Sequence, residues 1–147
     1  MTCLECKNVL TYIDHKSAMA TLGVELCARH KALIDKLTKK YGTPKEAIQL
    51  YYGLKKAGAN PTLAWWDGKK SIDIAISRVK LNIEIDTEYL MITEDRAIEH
   101  LEETMHSFKN GFTTIRIPHD LVTYYFNETV SNILGIIEGL KTNIRLI

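Results

Sequence analysis

The sequence predicts an α/β domain, one mixed sheet with helices against its faces, preceded by a small Cys/His-containing helical module. Three observations carry this. The short runs "TLAWW", "SIDIAI" and "LNIEID" follow one another between polar turns, as the strands of a meander do. Helical patterns stand before and after them, so strands and helices share one stretch of chain. All three cysteines fall within the first 27 residues, outside that pattern.

A chain of 147 residues is the size of one ordinary domain with room for a small appendage. Its composition, 46% hydrophobic and 25% charged, is that of a soluble globular protein and excludes collagen-like, coiled-coil and disordered classes. A formal net charge of +1 gives no bulk attraction to a polyanion, so any nucleic-acid contact has to come from a local patch. No apolar run approaches the ~18 residues that span a bilayer, and the N-terminus lacks the basic-then-apolar order of a signal peptide. The expected location is therefore intracellular (cytoplasmic), with no membrane partner.

Residues 1–42 form the first module, which ends in "CARHKALIDKLTKKYG". Ala28, Leu33, Ile34 and Leu37 make a helical stripe there, Lys39 and Lys40 suit its last turn and Gly42 its stop. The main domain, residues 43–147, opens on "TPKEAIQLYYGLKKAG". Thr43 reads as an N-cap, Pro44 as the first helical residue and Glu46 as the partner in a capping box, with Ala47, Leu50, Tyr51 and Leu54 on the buried face. The three strands follow as an antiparallel meander, linked by "DGKK" and "SRVK". "TEDRAIEHLEETMHSFKNG" reads as a helix stopped by Asn110 and Gly111, "FTTIRIP" as a fourth strand, and "HDLVTYYFNETVSNILGIIEGL" as one last amphipathic helix.

Cys3 and Cys6 form C-x-x-C; Cys27 and His30 form C-x-x-H after a spacer of 20 residues. Two such pairs supply the four ligands of a closed, structural zinc site. The second pair falls at a helix start, where positions i and i+3 share one face. The pairing uses every cysteine in the chain; reduced, buried cysteines beside a surface histidine are the alternative, and His15 is a substitute ligand.

In "SIDIAI" Asp73 alternates with isoleucines, and in "LNIEID" Glu84 and Asp86 do the same, so the period of two gathers the acids on one face of each strand. A turn centred on Arg78 and Val79 sets Asp73 directly opposite Glu84. Like charges so placed, with Cβ atoms about 4.5–5.5 Å apart, are unfavourable. A divalent cation reverses that sign, since Mg²⁺ is typically held by one or two carboxylates and keeps several waters. The solvated face of a surface hairpin is the competing reading. Lys69 and Lys70 read as turn lysines within reach of a phosphate, and His100, His106 and His119 as surface residues.

A helix with Glu46, then a strand with Asp73, a strand with Glu84 and Asp86, and a further helix and strand is an order that resembles the PD-(D/E)XK restriction-endonuclease-like superfamily. Within it, "IDIAI" and "IEID" followed by "GFTTIRIP" is most similar to small relatives of very-short-patch-repair endonucleases. The likeness covers roughly residues 43–122. It implies a restriction-endonuclease-like sheet, Mg²⁺ or Mn²⁺ held by Asp73 and Glu84 with Asp86 beside them and the Ile85 carbonyl completing the shell, Glu46 as an additional acid, and DNA as substrate. It is compatible with a homodimer, because duplex DNA has two strands. The chain departs from the pattern in three places. Asp86 stands where the superfamily usually has lysine, as in the close relatives. Thr87 and Leu90 stand where those relatives have Gly and His, and the basic residue expected of the following helix is missing from "IEHLEETMHS". These departures leave a second reading open, a catalytically inactive member that binds nucleic acid or a protein.

Overall fold

The computed structural model describes residues 1–146. Its elements are α1 (Tyr12–Thr21), α2 (Ala28–Tyr41), α3 (Lys45–Lys56), β1 (Thr62–Trp66), β2 (Ser71–Ile76), β3 (Leu81–Asp86), α4 (Glu94–Lys109), β4 (Thr113–Pro118), α5 (His119–Tyr124) and α6 (Phe126–Leu146). The four strands lie in the order β1-β2-β3-β4. The first three are antiparallel, and β4 runs parallel to β3. A parallel neighbour requires a crossover, and α4 supplies it. The chain is thus an α/β protein with a mixed sheet flanked by helices.

The register of the central hairpin, Ile74 opposite Ile83 and Ile76 opposite Leu81, is the one expected from a turn centred on Arg78 and Val79. A single 3-10 turn over Ser77–Val79 makes the link, and Lys80 closes it in the left-handed conformation, φ 54°. Alternation then sorts the sheet into two unlike faces. Ile72, Ile74, Ile76, Leu81, Ile83 and Ile85 are buried on the first, and all but Ile72 join the core shared with Ile48, Leu50 and Leu54 of α3 and Ile133 and Ile137 of α6. The second face carries Asp73, Asn82, Glu84 and Arg116, with Arg116 opposite Glu84 in the register. α4 covers this polar face: Asn82 Nδ2 donates to Ser107 Oγ at 3.2 Å, and Arg116 Nη2 donates to the His100 carbonyl at 3.0 Å.

Residues of the first module belong to the same buried cluster as the sheet, Cys3, Leu10, Ala18 and Leu26 among them. Glu5 ties it to α3, accepting from the Tyr52 hydroxyl at 2.8 Å and from Lys55 Nζ at 2.9 Å.

Three local expectations change. A helix absent from the sequence reading, α1, is capped by the Thr11 hydroxyl, which accepts from the Asp14 amide at 3.1 Å. Thr43 does not cap α3: Pro44 is its N-cap, no side chain caps it and Glu46 completes no box. The reason lies in the preceding helix. Gly42 ends α2 at φ 67°, and this turn commits the Thr43 amide to the Thr38 carbonyl, 2.9 Å away. The C-terminal segment is two helices rather than one, broken at Tyr125, where φ is −134°. Past the break, Phe126 packs so closely on α3 that a Cβ at Gly53 would lie 2.5 Å from its ring.

Candidate functional site

Two constellations stand out, and they are built differently. The first lies at the N-terminus. The turn holding Cys3 and Cys6 is closed by Cys3 N–H donating to the Asn8 carbonyl and Lys7 N–H to the Cys3 carbonyl, both at 2.9 Å. Leu4 N–H donates to the Glu25 carbonyl at 2.9 Å and brings this knuckle against the start of α2. There Cys27 is the N-cap and His30 sits in the first turn. One donor atom from each of Cys3, Cys6, Cys27 and His30 then lies within 4.8 Å of the others. Cys27 Sγ and Cys3 Sγ are 3.2 and 3.6 Å from His30 Nδ1, and Cys6 Sγ is 4.0 Å from Cys27 Sγ. Zn–S bonds of 2.3 Å in a tetrahedron put ligand atoms about 3.8 Å apart, so the set fits a metal such as zinc. No cysteine is in a disulfide. Burial raises the Cys3 thiol pKa, but hydrogen bonds from the backbone of Cys27, Cys6 and Glu5 outweigh it and bring it down to about 6, favouring the thiolate that metals bind. His15 is not part of the cluster; its Nε2 faces Glu25 Oε1 at 3.4 Å.

The second constellation is a cavity of about 400 Å³ between the polar sheet face and α4. Asp73, Glu84 and Asp86 all line it, and Glu46 does not. The two strands hold the first two acids crosswise. Glu84 Oε1 accepts the Asp73 amide at 3.2 Å, while Asp73 Oδ2 accepts the Ile85 amide at 2.8 Å. Asp86 is turned into its own loop, where Oδ1 accepts the Glu88 amide at 2.8 Å. Glu46 stays in the first turn of α3, half-buried.

The cations of the cavity come from elsewhere. Lys70, just before β2, places Nζ 2.9 Å from Glu103 Oε2 and 3.5 Å from Glu84 Oε2. Arg116 Nη2 lies 3.6 Å from the same Glu103 oxygen, and Arg96 and His100 complete the α4 wall. Desolvation pushes the Glu84 carboxyl up to about 7, the Asp73 charge adds to this, and Lys70 and Arg116 oppose it without cancelling it. Asp73 is raised as well, chiefly by burial. Glu103 goes the other way: its burial is outweighed by the hydrogen bond and charge of Lys70 and by Arg116. His100 is lowered by burial and by the charges of Arg116 and Arg96, which favours the neutral imidazole at neutral pH.

Lys70 therefore sits in the cavity rather than in a free turn, and His100 lines it, while Leu90 is 77% exposed. Arg96, two residues before "IEHLEETMHS", also lines the cavity. Arg96, His100 and Glu103 recur at i, i+4 and i+7, a spacing that puts them on one helical face. That stripe was the signal available for them. Arg116 is the lone charge in an apolar strand pattern, a weaker mark of the same kind.

No protein-family model, curated protein or solved structure matches the chain. Among the described residues, no helix is long and apolar enough to cross a membrane.

Proposed function

We propose that the cavity between β2, β3 and α4 is the active site of a restriction-endonuclease-like Mg²⁺- or Mn²⁺-dependent endonuclease that hydrolyses phosphodiester bonds in DNA, and that Cys3, Cys6, Cys27 and His30 hold a structural zinc. The observation that carries the reading is the crossed Asp73–Glu84 pair, a half-buried and a buried carboxylate with raised pKa values in a cavity that also holds cations. Perturbed, desolvated acids in a cleft are the arrangement expected of a working site.

The donor set fits a hard divalent ion. Five carboxylates line the cavity against three cationic side chains, Lys70, Arg96 and Arg116. A phosphate would add to that negative excess, and one divalent ion would offset it. Two carboxylates with the remaining positions left to water is a normal magnesium shell. Ser71 Oγ, on the cavity wall, is buried without a partner, so the wall also has polar capacity to spare. When bound, the metal would lower the pKa of a coordinated water and stabilise charge on the phosphate. In this reading Asp73 and Glu84 hold the ion, Lys70 and Arg116 position a non-bridging phosphate oxygen, and the neutral His100 imidazole can accept a proton within the cavity. Asp86 and Thr87 also line the cavity.

The ion pairs from Lys70 to Glu84 and Glu103 favour one second reading, a catalytically silent member whose charges are satisfied internally. Cleavage of duplex, branched and single-stranded DNA with Mg²⁺ or Mn²⁺ separates the two. The expected result is metal-dependent cleavage that falls at least ~100-fold in Asp73→Asn and Glu84→Gln, with DNA affinity little changed. Binding without cleavage assigns the silent reading. Absence of both divalent-metal and DNA binding overturns the two together.

A further inference from the structure

α4 is amphipathic in the reverse sense. Its inward stripe, Arg96, His100, Glu103 and Ser107, is polar, and its outward stripe is Ile98, Leu101, Met105 and Phe108, which are 54%, 70%, 50% and 71% exposed. At about 100° per residue the two stripes are centred roughly 150° apart. A helix on a soluble protein ordinarily turns such a stripe inward, and contiguous exposed apolar surface marks an interaction site.

We propose that this stripe is a self-association surface, packed antiparallel against α4 of a second copy. Three features select that occupant. The apolar residues are spaced 3, 4 and 3 apart, the seam of a helix pair. The seam reads the same in both directions about Glu103, so a two-fold axis sets Ile98 opposite Phe108 and Leu101 opposite Met105, a large side chain in every layer. Such self-complementarity is what an isologous dimer requires. The third feature is charge. Asp95, Glu102 and Lys109 flank one edge of the seam, exposed, and form no ion pair among the described residues. Antiparallel packing brings this edge against itself, so Lys109 of each copy meets Asp95 of the other, two attractive contacts set against one between the two Glu102 side chains at the axis. A parallel pair would set them beside Ala97 and Thr104, which carry no charge. The surface faces away from the cavity, so the inference does not rest on the endonuclease reading.

Sedimentation equilibrium of the full chain across micromolar concentrations tests it. The expected wild-type mass is twice 16.8 kDa. Leu101→Glu with Phe108→Glu should sediment as a monomer with unchanged circular dichroism, because both side chains already lie in solvent. Lys109→Glu alone should weaken the dimer at least ~5-fold in Kd, and Asp95→Lys added to it should restore affinity. A wild-type chain that stays monomeric overturns the proposal, as does a dimer that survives the Leu101/Phe108 variant. A dimer that dissolves in that variant but ignores the charge exchange overturns the antiparallel arrangement.

Discussion

Replacing Glu84 by Gln should make the protein more stable at pH 8 and leave it little changed at pH 5. Glu84 is 8% exposed, and its carboxyl titrates near 7 instead of 4.5. Below pH 4.5 the group is protonated in both the native and the unfolded chain and adds no pH dependence. Between 4.5 and about 7 the unfolded chain releases the proton while the native state keeps it, so stability falls as pH rises. Above 7 the loss is complete. A rise of about 2.5 units at 1.36 kcal/mol per unit amounts to about 3 kcal/mol, with Asp73 acting in the same direction. Gln keeps the shape and never ionises, and Lys70 retains Glu103 at 2.9 Å.

Thermal unfolding without added divalent metal, at pH 5 and pH 8, reads the difference between wild type and variant. This cancels the titrations they share. The expected gain of about 3 kcal/mol at pH 8 corresponds to a midpoint roughly 6–12 °C higher in a chain of this size. Adding Mg²⁺ at pH 8 should close the gap from the other side, since a ligand at 100 times its dissociation constant stabilises the native state by about 2.7 kcal/mol, and Gln removes one of the two carboxylates. A gap of equal size at both pH values would show that the ionised Glu84 is not a source of native-state strain. The whole argument from desolvation would then fail.

Three further outcomes follow from other parts of the molecule. Cys27→Ser keeps a good N-cap on α2 but removes a ligand, so bound zinc by mass spectrometry should fall from one per chain and the melting midpoint should drop by roughly 10 °C or more; unchanged zinc would take Cys27 out of the set. Lys70→Ala removes a charge that favours the ionised form of Glu84, so the Glu84 carboxyl titration followed by carbon-13 NMR should move upward from about 7, and an unmoved midpoint would place Lys70 elsewhere. Gly53→Ala forces a Cβ to within 2.5 Å of the Phe126 ring and 3.1 Å of Val130 Cγ2, an overpacking cost of about 1–3 kcal/mol in urea unfolding that Phe126→Leu in the same chain should partly relieve.

The sheet was legible because its side chains alternate cleanly and its links are short. Those two facts set the register, and the register put Asp73 and Glu84 together. The Cys/His cluster was legible by spacing alone. What escaped did so for physical reasons. α1 buries only Ala18, so its apolar residues leave no stripe to read. Thr43, Pro44 and Glu46 carry a capping signature, but the Gly42 turn spends the Thr43 amide first and leaves the Thr43 hydroxyl buried without a partner. Arg96, His100 and Glu103 form a polar stripe of the kind that normally faces water, and Lys70 and Arg116 reach the cavity from a turn and a distant strand. No local pattern announces groups that meet only through the crossover.

The reversed amphipathicity of α4 follows from the sheet beneath it. Turning the helix by half a revolution would bury Ile98, Leu101, Met105 and Phe108, nominally worth about 1.5–3 kcal/mol each. It would also remove Glu103 from Lys70 and Arg116, and Ser107 from Asn82. Separating a largely buried charge from its partner costs about 3–5 kcal/mol, and Lys70 and Arg116 both draw on Glu103 of this face. The two totals are comparable, so apolar burial alone does not decide the orientation. The polar face of β2, β3 and β4 decides it, because apolar side chains laid over it would meet carboxylates and a guanidinium instead of a core. One choice, a sheet face reserved for charge, thereby accounts for the cavity on one side of α4 and for the exposed hydrophobic seam on the other.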